Sequence, residues 1–210
     1  MYTPKQFAVG DEQAAAFLSQ IQAADLVTAT AAGLRSTFLP LLFRPDAGER
    51  GALHGHLARK NDQWRRPPIG EALVIAHGPD AYIHPGWYPT KAEHGRVVPT
   101  WNYTTAHIYG ELVVHDDVDW VDMNVRALTA RQEHDRDHPW SVDDAPEGFH
   151  AGQLRGIVGV ELLISRVEAK FKMSQNQKDT NIDGVIAGLA GDGRADVAEL
   201  VERLRPDRSP

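Results

Sequence analysis

Residues 97–115, VVPTWNYTTAHIYGELVVH, read as strand almost from end to end once the proline is passed. Val, Ile, Thr, Tyr and Trp dominate, and these side chains suit a pleated, half-buried surface. A second run of the same kind, IVGVELLISRVEAKFKM, fills residues 157–173. Outward from these two, shorter β-prone runs occupy 26–30, 36–43 and 52–58, separated by Gly33 and then by Pro45, Gly48 and Gly51. Residues 73–77 and 81–84 flank Gly78-Pro79-Asp80, which reads as a turn. Helical spacing is found in three places. In 11–22, Phe17, Leu18 and Ile21 share a face beside Ala14, with Asp11 placed to cap the start. In 117–135, Trp120, Met123, Val125 and Leu128 are apolar among charges, and the tail carries 182–189 and then Val197, Leu200, Val201 and Leu204. Several short antiparallel strands with interrupting helices, and no βαβ alternation, predict a mainly β (α+β) barrel or sandwich. The expected organisation is one domain over 1–210 with a helical C-terminal extension at about 181–205.

Composition narrows the function classes. Cysteine is absent, which removes disulfides, thiolate metal sites, iron–sulfur clusters and cysteine nucleophiles. No apolar run approaches the roughly 20 residues that span a bilayer, and the N-terminus has no cationic-then-apolar leader. A cytoplasmic protein is the expectation. The formal charge of −7 is uneven: residues 115–150 hold ten Asp/Glu against three Lys/Arg, whereas 151–178 hold five Lys/Arg against two Asp/Glu. Duplex DNA is bound by basic side chains that displace counterions, so this balance does not support direct DNA binding. Neither GxGxxG nor GxxxxGK[ST] occurs, no nucleophile elbow surrounds Ser165 or Ser174, and no carboxylate pair stands out. Redox chemistry would therefore need a bound organic cofactor.

Three segments carry chemistry. After the 52–58 run comes a polar turn in which Arg59 offers a bidentate fork, Lys60 a point charge and Asn61 a neutral donor. These could grip a phosphate; spacing alone favours solvated loop charges. His54 and His56 alternate onto one strand face but lack a third ligand nearby, and His134 with His138 reads as a charged helix end, so no metal is expected. The segments 81–91 and 98–103 gather Tyr82, Trp87, Tyr88, Trp101 and Tyr103 around prolines. Such aromatics stack on a planar ring, fill a core or line a dimer interface; Thr100 and Asn102 between them lean the reading toward a pocket. At 170–176, Lys170, Lys172 and Ser174 alternate with Phe171 and Met173. A two-cation face completes an anion site or protects an edge strand, and spacing does not choose.

At these residues the sequence resembles the PaiB-type, FMN-binding negative transcriptional regulators. The resemblance rests on Met1-Tyr2-x-Pro4-x-x-Phe7, Leu39-Pro40-Leu41-Leu42 and Gly55-His56-Leu57-Ala58-Arg59-x-Asn61-x-Gln63-Trp64. It continues through Gly78-Pro79-x-Ala81-Tyr82-Ile83, Trp87-Tyr88-Pro89-x-Lys91, Val98-Pro99-Thr100-Trp101-Asn102-Tyr103 and Lys170-x-Lys172-x-Ser174-Gln175-Asn176. It reaches from residue 1 to about Leu189, with one departure: Gly86 stands where the family pattern has Ser. The resemblance implies an FMN-binding split β-barrel of the pyridoxamine-phosphate-oxidase-like kind, homodimeric, with flavin at the subunit interface. It implies His56, Arg59, Lys60 and Asn61 near the flavin phosphate. Thr100, Trp101, Asn102 and Tyr103 would line the ring or ribityl chain, with Lys172 and Gln175 reaching in from the partner. Two functions are implied: a negative regulator acting indirectly or through a complex, or an FMN-dependent oxidoreductase. Haem binding is a weaker alternative, since relatives of this fold handle haem.

Overall fold

The computed structural model describes residues 1–206. Six strands hydrogen-bond in the order β1-β2-β3-β6-β5-β4 and close an antiparallel barrel: β1 (Ala23–Thr30), β2 (Gly33–Arg44), β3 (Ala52–Ala58), β4 (Ala72–Ile83), β5 (Thr100–His115) and β6 (Ile157–Lys172). Around the sheet lie α1 (Asp11–Gln20), α2 (Thr90–His94), α3 (Val118–Glu133), α4 (Phe149–Leu154), α5 (Asp179–Gly191) and α6 (Ala195–Arg203). The mainly β prediction with peripheral helices is met.

Local chemistry explains most boundaries. The β1–β2 hairpin turns on Gly33, whose φ of 100° a side chain would resist, and Thr30 Oγ1 ties the turn by donating to the Gly33 carbonyl at 2.8 Å. In β1, buried and half-buried residues alternate without exception, the signature of one core-facing side. Asp117 caps α3, its carboxylate accepting from the Trp120 N–H at 2.8 Å.

Three expectations are corrected. Gly78-Pro79-Asp80 is no turn: β4 runs straight through it, Gly78 keeps a negative φ, and the fixed φ of proline is compatible with extended backbone. Asp11 is the first helical residue rather than the cap. The β-rich stretch from 97 becomes strand only at Thr100, immediately after Pro99.

The chain forms two compact units. One comprises residues Met1–Gln13, His77–Ala106 and the described residues from Glu168 on; the other comprises Ala14–Ala76 and His107–Val167. The first has its own core, where Ile83, Tyr88 and Met173 pack with Ile182, Val185 and Leu189 of α5 and with Val197 and Val201 of α6. Trp87 seats against α5 at Gly188; a Cβ there would lie 2.2 Å from the indole ring. In the second unit, β3 pairs with β6 so that His54 faces Glu161 and His56 faces Gly159.

Candidate functional site

The first unit contains a cavity of about 370 Å³. The period of two along β5 divides the residues that border it: Thr100 and Asn102 line the cavity, whereas Trp101 and Tyr103 do not. Trp101 is half exposed, its indole N–H donating to Asp80 at 3.1 Å, and Tyr103 lies beneath the Lys170 ammonium, 5.3 Å from the ring centroid.

A buried polar wall backs the cavity. The Asn102 side-chain N–H donates to Ser174 Oγ at 2.9 Å, and the Ser174 hydroxyl donates back to Asn102 Oδ1 at 3.3 Å. Ser174 has φ 67°, a left-handed backbone on a residue with a Cβ, and such strain persists only where surrounding contacts enforce it. Beside this pair, Lys172 Nζ donates to Thr100 Oγ1 at 2.6 Å and to the Trp101 carbonyl at 2.5 Å. Burial first, and Lys170 second, hold the Lys172 ammonium below the usual lysine range. A second buried pair continues the wall: Thr90 Oγ1 donates to Asn181 Oδ1 at 3.0 Å, and Asn181 donates to Gln177 at 3.1 Å. Gln175 turns inward on its own loop, accepting from the Met173 N–H and donating to the Phe171 carbonyl, each at 2.6 Å. It shapes the turn that presents Ser174.

The second unit holds the polar turn after β3. The Arg59 fork is already engaged: Nε donates to the Arg155 carbonyl at 2.8 Å, Nη1 and Nη2 clasp Asp116 at 3.1 and 2.5 Å, and Nη2 also reaches the Ile157 carbonyl at 3.0 Å. These hydrogen bonds push the guanidinium up and hold the Asp116 carboxyl below the usual range. Asn61 is likewise occupied, accepting from the Gln63 N–H and donating to Thr37 Oγ1, both at 2.9 Å. Gln63 then anchors the turn in the core through the Leu26 carbonyl and Thr28 Oγ1, both at 3.1 Å. His56 differs, because its Nδ1 is buried without a hydrogen-bond partner and burial pushes its pKa down. Lys60 is exposed.

A further cluster in this unit escapes a linear reading. Glu161 accepts from or pairs with two imidazoles, His54 at 2.9 Å and His115 at 2.8 Å, and Trp120 stacks on His115 at 4.1 Å with 5° between planes. The three partners lie on β3, β5 and β6, so no local spacing announces them. Among the described residues no group of three or more His, Asp or Glu is arranged to hold a metal ion.

Comparison with known proteins gives the family. Residues 1–166 match the family model described as "Putative FMN-binding domain". The chain belongs to that family. FMN is thereby its cofactor class, and the donor-rich wall of Thr100, Asn102 and Lys172 fits a ligand edged with carbonyl oxygens and ring nitrogens. The chain is 30% identical over 206 residues to protease synthase and sporulation protein PAI 2 of Bacillus subtilis, covering 97% of this chain and 96% of that one. The FAD and heme binding protein of Mycobacterium smegmatis shares the fold with a TM-score of 0.59 at 14% identity, over 85% of this chain and 80% of that one. A conserved hypothetical protein of Mycobacterium tuberculosis, Rv2991, gives 0.56 at 10% identity, over 85% and 94%. The split β-barrel expected from the resemblance is the fold. Lys172, Ser174 and Asn181 lie beyond the segment matched to the family model.

Proposed function

We propose that the chain is an FMN-binding regulator that lowers expression indirectly or through a complex, and that it works as a homodimer. One observation carries the flavin assignment: a lysine ammonium fixed by two short hydrogen bonds in the wall of a cavity, beside a buried Asn–Ser pair. Bound flavin supplies hydride or single-electron transfer. Toward it, Lys172 contributes the positive charge that favours the reduced ring, and Thr100 and Asn102 orient neutral hydrogen bonds. The Trp101 carbonyl holds Lys172, and Gln175 braces the loop that carries Ser174. In the other unit the turn after β3 is a separate candidate for a phosphate: Lys60 is exposed, His56 Nδ1 is buried without a partner, and Arg59 and Asn61 are held in the turn's own hydrogen bonds.

The regulatory part is supported by the name of the Bacillus relative, which connects that protein to protease synthesis and sporulation. The indirect route is supported by the net charge of −7. The homodimer is supported by Leu34 and Phe38, 72% and 70% exposed on one face of β2, where a second copy would cover them. A second reading, an FMN-dependent oxidoreductase, is favoured by the same lysine. The test is FMN titration of the purified chain by visible absorbance, with faster reoxidation by a particular acceptor marking the oxidoreductase. Flavin that binds but never turns over leaves the regulator.

A further inference from the structure

Helix α3 and the segment after it carry a surface that neither the flavin nor the Leu34–Phe38 pairing uses. Three contacts lay residues 140–150 back along α3 in antiparallel register. The Trp140 N–H donates to Glu133 at 3.0 Å, Arg126 donates to Asp143 at 2.8 Å, and His150 pairs with Asp122. From Asp122 to Glu133 the helix extends about 16 Å. Val142 and Leu154 anchor this strap by burial, yet its two aromatics face solvent: Trp140 is 49% and Phe149 55% exposed. Met123, next to Asp122 on α3, is 45% exposed. Both aromatics sit at fixed turns. Trp140 leads into a capping box, where Ser141 Oγ accepts from the Asp143 N–H at 3.1 Å and Asp144 accepts from the Ser141 N–H at 2.7 Å. Phe149 opens α4 after Gly148, whose φ of 74° sets the turn. Aromatics already held in place lose little freedom on binding, and Trp is enriched among residues that carry interface energy.

The charge around these side chains has one sign. Arg126 is shared by Asp122 and Asp143, Arg136 pairs with Glu133, and Arg131 donates to the Leu41 and Ser19 carbonyls. Asp119, Asp137 and Glu147 are exposed and enter none of these pairs. A second copy laying the same face on this one would set like charges opposite each other, which suppresses pairing. We infer that the surface of α3 and its strap docks a basic, amphipathic segment of a partner protein. The segment's apolar side chains meet Met123, Trp140 and Phe149, and its lysines and arginines face Asp119, Asp137 and Glu147. An apolar stripe with basic flanks, laid along a helix, is the helix-in-groove mode of recognition. The inference rests on the regulatory reading only in giving the partner of that complex its chemistry, and it is independent of the flavin.

The experiment titrates the full chain into a fluorescently labelled helical peptide of Lys and Leu, about 15 residues long so that it can follow α3. Saturable binding is expected, and a Lys/Ser peptide of the same charge is expected to bind roughly tenfold or more weakly. Trp140→Ser combined with Phe149→Ser is expected to weaken the Lys/Leu peptide by roughly tenfold or more. Asp119→Asn with Asp137→Asn and Glu147→Gln is expected to weaken it at low salt and to flatten the loss of affinity as salt rises. These positions are exposed, and FMN uptake by the same samples, read by visible absorbance, is expected to match wild type. No saturable binding, equal binding of the two peptides, or binding indifferent to the aromatic variant overturns the surface. A dimer in light scattering that the aromatic variant dissociates also overturns it, by making a second copy the occupant. Peptide binding by a chain that takes up no FMN supports the surface while removing the flavin reading.

Discussion

At the scale of single residues, Lys172 concentrates the chemistry. Its ammonium is held against Thr100 Oγ1 and the Trp101 carbonyl, and burial favours losing the proton. Lys172→Gln keeps hydrogen-bonding capacity but removes the charge, and FMN affinity is expected to fall by about 1.5–3 kcal/mol, the range for a hydrogen bond to a charged group. An unchanged dissociation constant would take the flavin away from this wall. Asn124, on the buried face of α3, makes a second residue-scale prediction. Both its amide atoms are buried without a partner, a cost of about 1–3 kcal/mol in a core. Asn124→Leu is expected to raise stability by about 1 kcal/mol in urea unfolding; a loss of that size would mean the amide is satisfied in solution. The quartet at 100–103 shows what was legible at this scale. Strand period splits it, sending Thr100 and Asn102 to the cavity and Trp101 toward Asp80, so only half of the motif lines the cavity. Arg59 was equally conspicuous, yet nothing local announces Asp116, its partner across 57 positions.

At the scale of elements, the seam of β3, β5, β6 and α3 sets the pH response. His54 and His56 both have pKa values lowered from 6.5, burial being the leading cause for each. The folded chain therefore prefers the neutral imidazoles, and the unfolded chain binds more protons below 6.5. Stability is fully present above about pH 6.5 and declines as pH falls from there toward the lowered folded values. Melting temperature followed from pH 8 to 5 should drop, and His56→Phe should flatten part of the drop; an identical slope in the variant would remove His56 as a contributor. Packing of α5 on Trp87 offers another element-scale test. Gly188→Ala places a methyl 2.2 Å from the indole, and forcing the helix away is expected to cost about 1–3 kcal/mol in chemical denaturation. The long strands and α3 were readable because hydrophobic period persists over many residues. Gly78-Pro79-Asp80 misled because turn-forming residues also tolerate extended backbone when the ladder does not need the proline N–H. His94, Arg96 and Lys178 of the cavity lining were invisible as a group because they come to one cavity only through the fold.

For the whole molecule, the antiparallel barrel, the absence of any helix long and apolar enough to cross a membrane among the described residues, and family membership frame the function. The exposed Leu34 and Phe38 predict a dimer in light scattering, and Phe38→Glu is expected to shift it toward monomer by burying a charge at the contact; a wild-type monomer would refute the pairing. The most direct test of the central claim is an FMN titration of the full chain read by visible absorbance, run in parallel on wild type and Lys172→Gln. One flavin per subunit with wild type, and an affinity reduced about tenfold or more in the variant, is the predicted result. Saturable binding that ignores the substitution, or no binding by wild type, would contradict it.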